Sequence, residues 1–168
     1  MIRNVGLRRV QGIVLLAVLI TTGASAHADP ESPSSVRFNA PKSVGNALDI
    51  VPTKYRGAVS RSFRSDPKLV ELTEPLVVYR RWGGRASEVG SPWFSPKPYT
   101  KPGNAQRYLA LPEGNTAQNL TRFEIPAGTQ ILRGKVAGQA GEAGFGGNAV
   151  GGGVQIYLPA LRVAVPIR

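Results

Sequence analysis

From Glu74 onward the apolar and polar positions follow a pattern that the earlier part of the chain lacks. The stretch "EPLVVYRRWGG" opens with Pro75, runs β-branched and aromatic from Leu76 to Tyr79, and closes on Gly83-Gly84, which predicts a buried strand. Next, "GSPWFSPKPY" holds three prolines within ten residues and is restricted to loop or sheet edge. In "KPGNAQRYLALPEGN", Ala105, Tyr108 and Leu109 sit at i, i+3 and i+4, and Pro112 with Gly114 ends the short helix they predict. "TRFEI" and "TQILRGKV" read as strands joined by a type I turn, with Pro126 second and Gly128 fourth. A glycine-laden loop, "AGQAGEAGFGGNAVGGG", then leads into "VQIYLPALRVAVPI", where Pro159 leaves two strands or one bulged strand. No repeat recurs at a fixed period. The pattern predicts an α+β, mostly antiparallel domain over residues 74–168 with one or two short helices.

Residues 29–73 show no sustained periodicity. "DPESPSSVRFNAPKSVGN" is rich in turn residues and reads as a linker or arm, while "YRGAVSRSFRSDPKLVEL" has room for a short helix or two before Pro67. Its basic residues keep the arm solvated or form a phosphate-facing patch. Residues 1–28 have the organisation of a secretory signal peptide: Arg3, Arg8 and Arg9, the apolar "GIVLLAVLI", then small residues at Ala24, Ala26 and Ala28. The apolar core is shorter than the roughly 20 residues that cross a bilayer. Cleavage near Ala28 predicts a secreted, periplasmic or extracellular protein without stable membrane insertion; an uncleaved anchor is the alternative.

Composition removes several chemistries. There is no cysteine, and the single histidine, His27, lies inside the predicted signal. Disulfides, thiol catalysis, a Ser-His-Asp triad and a histidine-bound zinc site are therefore excluded from the mature chain, and no metal ligands are assigned. Losing Arg3, Arg8 and Arg9 lowers the formal charge from +11 to +8. A surface that basic attracts phosphates and acidic partners without choosing among them.

Four features have candidate chemistry. The glycine loop lacks the Gly-Lys-Ser/Thr ending of a P-loop and runs into a strand, so both common nucleotide signatures fail. Its glycines permit close backbone approach to a ligand or serve as a flexible connector. Arg80 ends an apolar strand, and its planar fork suits a phosphate; a rim arginine passing Trp82 is the other reading. Trp93 and Phe94, beside Ser91 and Ser95, form a wall for a flat heterocycle or else pack within their loop. Gln155 follows the glycines directly.

In order, "VYR" at 78–80, "WFS" at 93–95 and "QIYLP" at 155–159 resemble the arginine, serine and late-strand motifs of the ADP-ribosyltransferase-like fold. The likeness is closer to NAD glycohydrolase toxin domains of the tuberculosis necrotizing toxin type, over residues 76–159. It rests on "YRRWGG", "RYLALPEGN", "FEIPAGTQILRG" and "GGGVQIYLP". The resemblance implies catalytic roles for Gln155 and Arg80, and substrate contacts at Arg107, Trp93, Phe94, Ser95, Gly152 and Gly153. It implies NAD⁺ as substrate, no cofactor, and a cognate immunity protein as partner. Some relatives place a histidine in the region of "NLTRF", where this chain has none.

Such a reaction is feasible without histidine. The nicotinamide of NAD⁺ leaves neutral from a cationic start, so no acid must protonate it. Gln155 and Gly153 leave out the carboxylates that a transferase would use, which favours water as acceptor. The alternatives are an ADP-ribosyltransferase acting on a macromolecule and a basic nucleic-acid-binding or nuclease module, the latter disfavoured without His. The enzyme reading requires Arg80, Ser95 and Gln155 to meet at one cleft.

Overall fold

A computed structural model describes residues 46–167; the expected signal peptide and residues 29–45 of the expected arm lie outside the described residues. The fold is α+β, with two antiparallel sheets and a few short helices. The first sheet is β2 (Leu76–Gly84), β4 (Asn115–Ile125) and β7 (Val165–Ile167), in the order β2-β4-β7. The second has the order β1-β5-β6-β3, from β1 (Lys68–Glu71), β5 (Gln130–Lys135), β6 (Val154–Tyr157) and β3 (Trp93–Phe94). Helix α1 spans Arg56–Ser62 and α2 spans Pro102–Tyr108.

The apolar alternation places the core. Leu76 and Val78 of β2, Phe123 and Ile125 of β4, Ile131 of β5, and Ile156 of β6 with Leu158 form one buried cluster between the sheets. The alternate positions Leu132 and Tyr157 face the other side of the second sheet, where Val51, Val59 and Phe63 cover them. The sheets meet where Tyr79 and Ser95 exchange both backbone hydrogen bonds, each 2.8 Å.

Several expected boundaries move. Strand β2 continues past Tyr79 to Gly84 because β4 pairs with it from Leu76↔Ile125 to Trp82↔Asn119, so cross-strand bonding carries it through the two arginines. The register shifts between Trp82 and Gly84, and Gly84 takes a φ of 60° that a side chain would resist. Helix α2 begins at Pro102 and buries Ala105 alone, leaving Tyr108 exposed. The Pro126–Gly128 turn links strands of different sheets, so it is a crossover and not a hairpin. Gly128 and Leu72 tie it down through Gly128 N–H to Leu72 O at 2.7 Å and Leu72 N–H to Thr129 O at 3.0 Å. Pro159 does divide the last run, with a 3-10 turn at Leu161–Val163 before β7.

The boundary expected at residue 74 also differs. Residues 46–73 supply α1, the edge strand β1 and five core side chains, Val51, Val59, Phe63, Val70 and Leu72. Turn-rich composition hid this contribution because α1 and β1 are only seven and four residues long, too short for a clear period. Leu72→Ala tests the assignment by denaturant unfolding. A buried leucine costs about 2–5 kcal/mol on truncation, whereas a solvated arm residue stays within about 0.5 kcal/mol.

Candidate functional site

Gln155 is the second residue of β6 and only 7% exposed. With Ile156 and Leu158 committed to the inter-sheet core, alternation turns Gln155 toward the end of α1. Its Nε2 donates to the Ser62 carbonyl at 2.7 Å and lies 3.4 Å from Ser62 Oγ. That carbonyl belongs to the last turn of α1, where carbonyls lack intrahelical partners, and it also accepts Ala137 N–H at 2.8 Å. A carbonyl can only accept, so it settles the amide orientation: nitrogen toward the helix, Oε1 at the free end. Oε1 accepts nothing from the described residues and is not sealed from solvent.

The preceding glycines are stitched into the structure. Gly151 and Gly153 donate to the carbonyls of Arg107 and Tyr108 at 2.9 Å each, capping α2, while Gly152 donates to Val136 at 2.9 Å. A side chain at Gly153 would place its Cβ 2.5 Å from Tyr99 Oη and 2.7 Å from the Tyr108 carbonyl. Close packing therefore requires glycine there. Tyr99 and Tyr108 stack with ring centroids 6.1 Å apart, and the Arg107 guanidinium lies 5.8 Å from the Tyr108 ring centre. Burial, and then the neighbouring Tyr108, raise the Tyr99 hydroxyl above its usual pKa.

Arg81 organises the far side of Tyr99. Its Nε donates to Tyr99 O at 2.9 Å, Nη1 to Ala117 O at 3.2 Å and Gln118 O at 3.4 Å, and Nη2 to Thr100 O. Tyr99 and Ala117 have positive φ values, 40° and 53°, so this fork holds two strained backbone positions. Asn115 completes the arrangement, donating to Arg81 O at 3.1 Å and accepting Ala117 N–H at 2.9 Å. The only ion pair between described residues is Arg56–Asp49 at 3.3 Å. Among the described residues the guanidinium groups of Arg107, and of Arg64 beside Gly152, thus have no carboxylate partner.

Arg80, Ser95 and Gln155 do not converge. Strand alternation sends Arg80 to the inter-sheet side, where Nη1 donates to Ser91 O at 2.6 Å in a cavity with Phe94 and Phe123. Arg81 takes the opposite side. Ser95 is buried, its backbone spent on Tyr79 and its Oγ accepting Lys97 N–H at 3.1 Å. Phe94 packs against Phe123 in the core, centroids 5.3 Å apart, and Trp93 packs between Phe63 and Tyr157 at 5.7 and 4.9 Å. Neither is a free stacking wall. The amides of Gly152 and Gly153 are likewise committed inside the protein, so they do not cradle a phosphate. Gln155 and Arg107 do lie around the same glycine run.

Ser62, Arg64, Arg81, Tyr99 and Tyr108 were missed by sequence reasoning. Arg81 and Tyr108 adjoin residues that were singled out, and only the face of β2 and the end of α2 distinguish them. Tyr99 sat in a proline-rich loop, and Ser62 and Arg64 in the expected arm. Among the described residues no three His, Cys, Asp or Glu side chains gather as a metal would need.

No family model matches the chain, and no curated protein does. Among solved structures, the chain is similar to one from the structure of Tse6 in complex with Tsi6, with a TM-score of 0.48 and 11% identity over 70% of this chain and 85% of that chain.

Gly153→Ala should lower stability by about 1–3 kcal/mol in urea unfolding, because the methyl has no space beside Tyr99 Oη and the Tyr108 carbonyl. Since the folded state raises the Tyr99 hydroxyl, its contribution is intact below the unfolded value of about 10 and is lost as pH rises through the higher folded one. The urea midpoint should therefore fall above about pH 10, and fall less in Tyr99→Phe.

Proposed function

We propose that this chain is an exported NAD⁺ glycohydrolase of toxin type with water as acceptor, its reacting centre built on Gln155 with Arg64, Arg107, Tyr99 and Tyr108 in place of the expected Arg80–Ser95–Gln155 cleft, which does not form. The observation that carries the reading is the Gln155 amide, anchored by Ser62 through nitrogen with an acceptor oxygen left over. That oxygen suits a ribose hydroxyl, which must donate. Arg64, whose side chain lies beside Gly152, and Arg107, whose carbonyl is bonded by Gly151, have no carboxylate partner among the described residues and suit the two phosphates of a dinucleotide. Tyr99 and Tyr108 replace Trp93 and Phe94 as the aromatic surface beside the site.

In this scheme the C1′–N bond of NAD⁺ breaks with its electron pair going to the pyridinium nitrogen, so nicotinamide departs neutral. Positive charge moves to the ribose as an oxocarbenium-like centre. Gln155 Oε1 accepts from a ribose hydroxyl, leaving that oxygen more electron-rich and the adjacent cation less costly. Water adds to C1′ and its proton passes to solvent. An amide has no charge with which to deprotonate an acceptor side chain, consistent with hydrolysis over transfer. NAD⁺ is the substrate, with no resident cofactor or metal in the scheme. A cognate immunity protein is the partner proposed for a toxin of this kind, and secretion is proposed from the leader-like residues 1–28.

The purified protein incubated with NAD⁺ should release nicotinamide and free ADP-ribose, and Gln155→Ala should slow release by about 10²-fold, the usual loss for one preorganised polar group. Equal rates would remove Gln155 from the mechanism. Labelled NAD⁺ in cell extract, with label retained on a macromolecule, would assign a transferase instead.

A further inference from the structure

Arg80, displaced from the Gln155 face, sits in an environment that itself has the makings of a site. The residue is 8% exposed and lines a cavity of about 260 Å³ with Ser91, Phe94, Phe123, Leu161 and Ala164. Phe94 comes from one sheet and Phe123 from the other, while Leu161 and Ala164 come from the connection before β7, so the cavity opens at the end of the inter-sheet core. Nη1 is engaged by the Ser91 carbonyl, yet Nε is buried without a hydrogen-bond partner and Nη2 donates to no described residue. A buried donor left unmade costs about 1–3 kcal/mol, more for a charged group.

Among the described residues no carboxylate pairs with Arg80. Glu88, which also lines the cavity, accepts from the Thr121 hydroxyl at 2.7 Å and forms no ion pair with Arg80. Arg162, another lining residue, adds positive charge. Burial disfavours the charged form of Arg80, but an arginine remains protonated at neutral pH.

We infer that this cavity binds a monocarboxylate borne on a small apolar body. The Nε–Nη2 edge carries two N–H groups without a partner among the described residues, at the spacing that a carboxylate accepts bidentately once it reaches the buried Nε. Phe94, Phe123, Leu161 and Ala164 then surround the apolar part. At about 260 Å³ the space falls just under the roughly 300–1,000 Å³ of drug-sized pockets, which limits the ligand to about one aromatic ring and a short chain. The carboxylate comes either from a free organic acid or from the C-terminus of a polypeptide ending in an apolar residue. This site is separate from the Gln155 face and stands whether or not the chain cleaves NAD⁺.

Calorimetry on the purified protein tests it with 3-phenylpropanoate and its neutral amide, 3-phenylpropanamide, and with the tripeptide Ala-Ala-Phe as free acid and as C-terminal amide. At least one acid should bind at least about tenfold tighter than its amide, since only the acid engages the guanidinium. Binding by the tripeptide acid assigns a polypeptide C-terminus; binding by 3-phenylpropanoate alone assigns a free acid. Ala164→Leu, which fills the cavity and leaves Arg80 in place, should weaken the bound acid at least about tenfold, with the melting temperature checking that the variant is folded. Equal affinity for each acid and its amide, or no binding by either acid at millimolar concentration, overturns the inference, and neither result depends on a variant that must fold.

Discussion

Two backbone hydrogen bonds between Tyr79 and Ser95 join the sheets beside the two arginines of β2, and the faces that Arg80 and Arg81 take are fixed relative to that junction. Tyr79 is the point where β2, paired along its length with β4, also touches the strand that carries Trp93 and Phe94. From that junction the two-residue alternation of β2 sends Arg80 toward the inter-sheet core and Arg81 toward Tyr99. A slip of one residue at the junction would exchange them. The neighbouring arginines therefore do unrelated work: one is a charged end to an apolar cavity, the other a fork closing four backbone carbonyls around two strained residues.

The Gln155 site depends on a second constraint, the shortage of partners at helix ends. Both helices are seven residues long, so a large share of their carbonyls lies in a last turn without intrahelical donors. Gln155 and Ala137 serve the end of α1; Gly151 and Gly153 serve the end of α2. The glycine run thus acts chiefly as a cap that side chains would block, and the amide is oriented by the same need. What that accounting leaves over is Oε1, two guanidinium groups without a carboxylate among the described residues, and the Tyr108 ring stacked on a half-buried Tyr99.

Excess positive charge then has a structural meaning. With a single ion pair between the described residues, Arg80 and Arg81 bond to backbone carbonyls and Arg107 lies against a ring, none of them in an ion pair with a described carboxylate. Buried guanidinium groups satisfied by backbone carbonyls hold irregular loops in place, as Arg81 does. Those not fully satisfied, such as Arg80, or unpaired at the surface, such as Arg107, remain available to anions.

The sequence by itself determined the strands from Leu76, at 121–125, at 129–136 and after the glycine loop, together with the break at Pro159, because alternation and proline act locally; that β4 starts at Asn115 came from its pairing with β2. It also determined that any chemistry must proceed without cysteine and, within the described residues, without histidine. Tertiary structure alone decided that residues 46–73 belong to the packed domain, since α1 and β1 are too short to announce themselves and acquire their order from Phe63, Leu132 and Tyr157. It also decided which face each site residue occupies. Arg80 and Gln155 are each preceded by a convincing local motif, but a motif has no face until a strand has neighbours; hydrogen-bond register, a long-range property, put one in the core and the other beside Ser62.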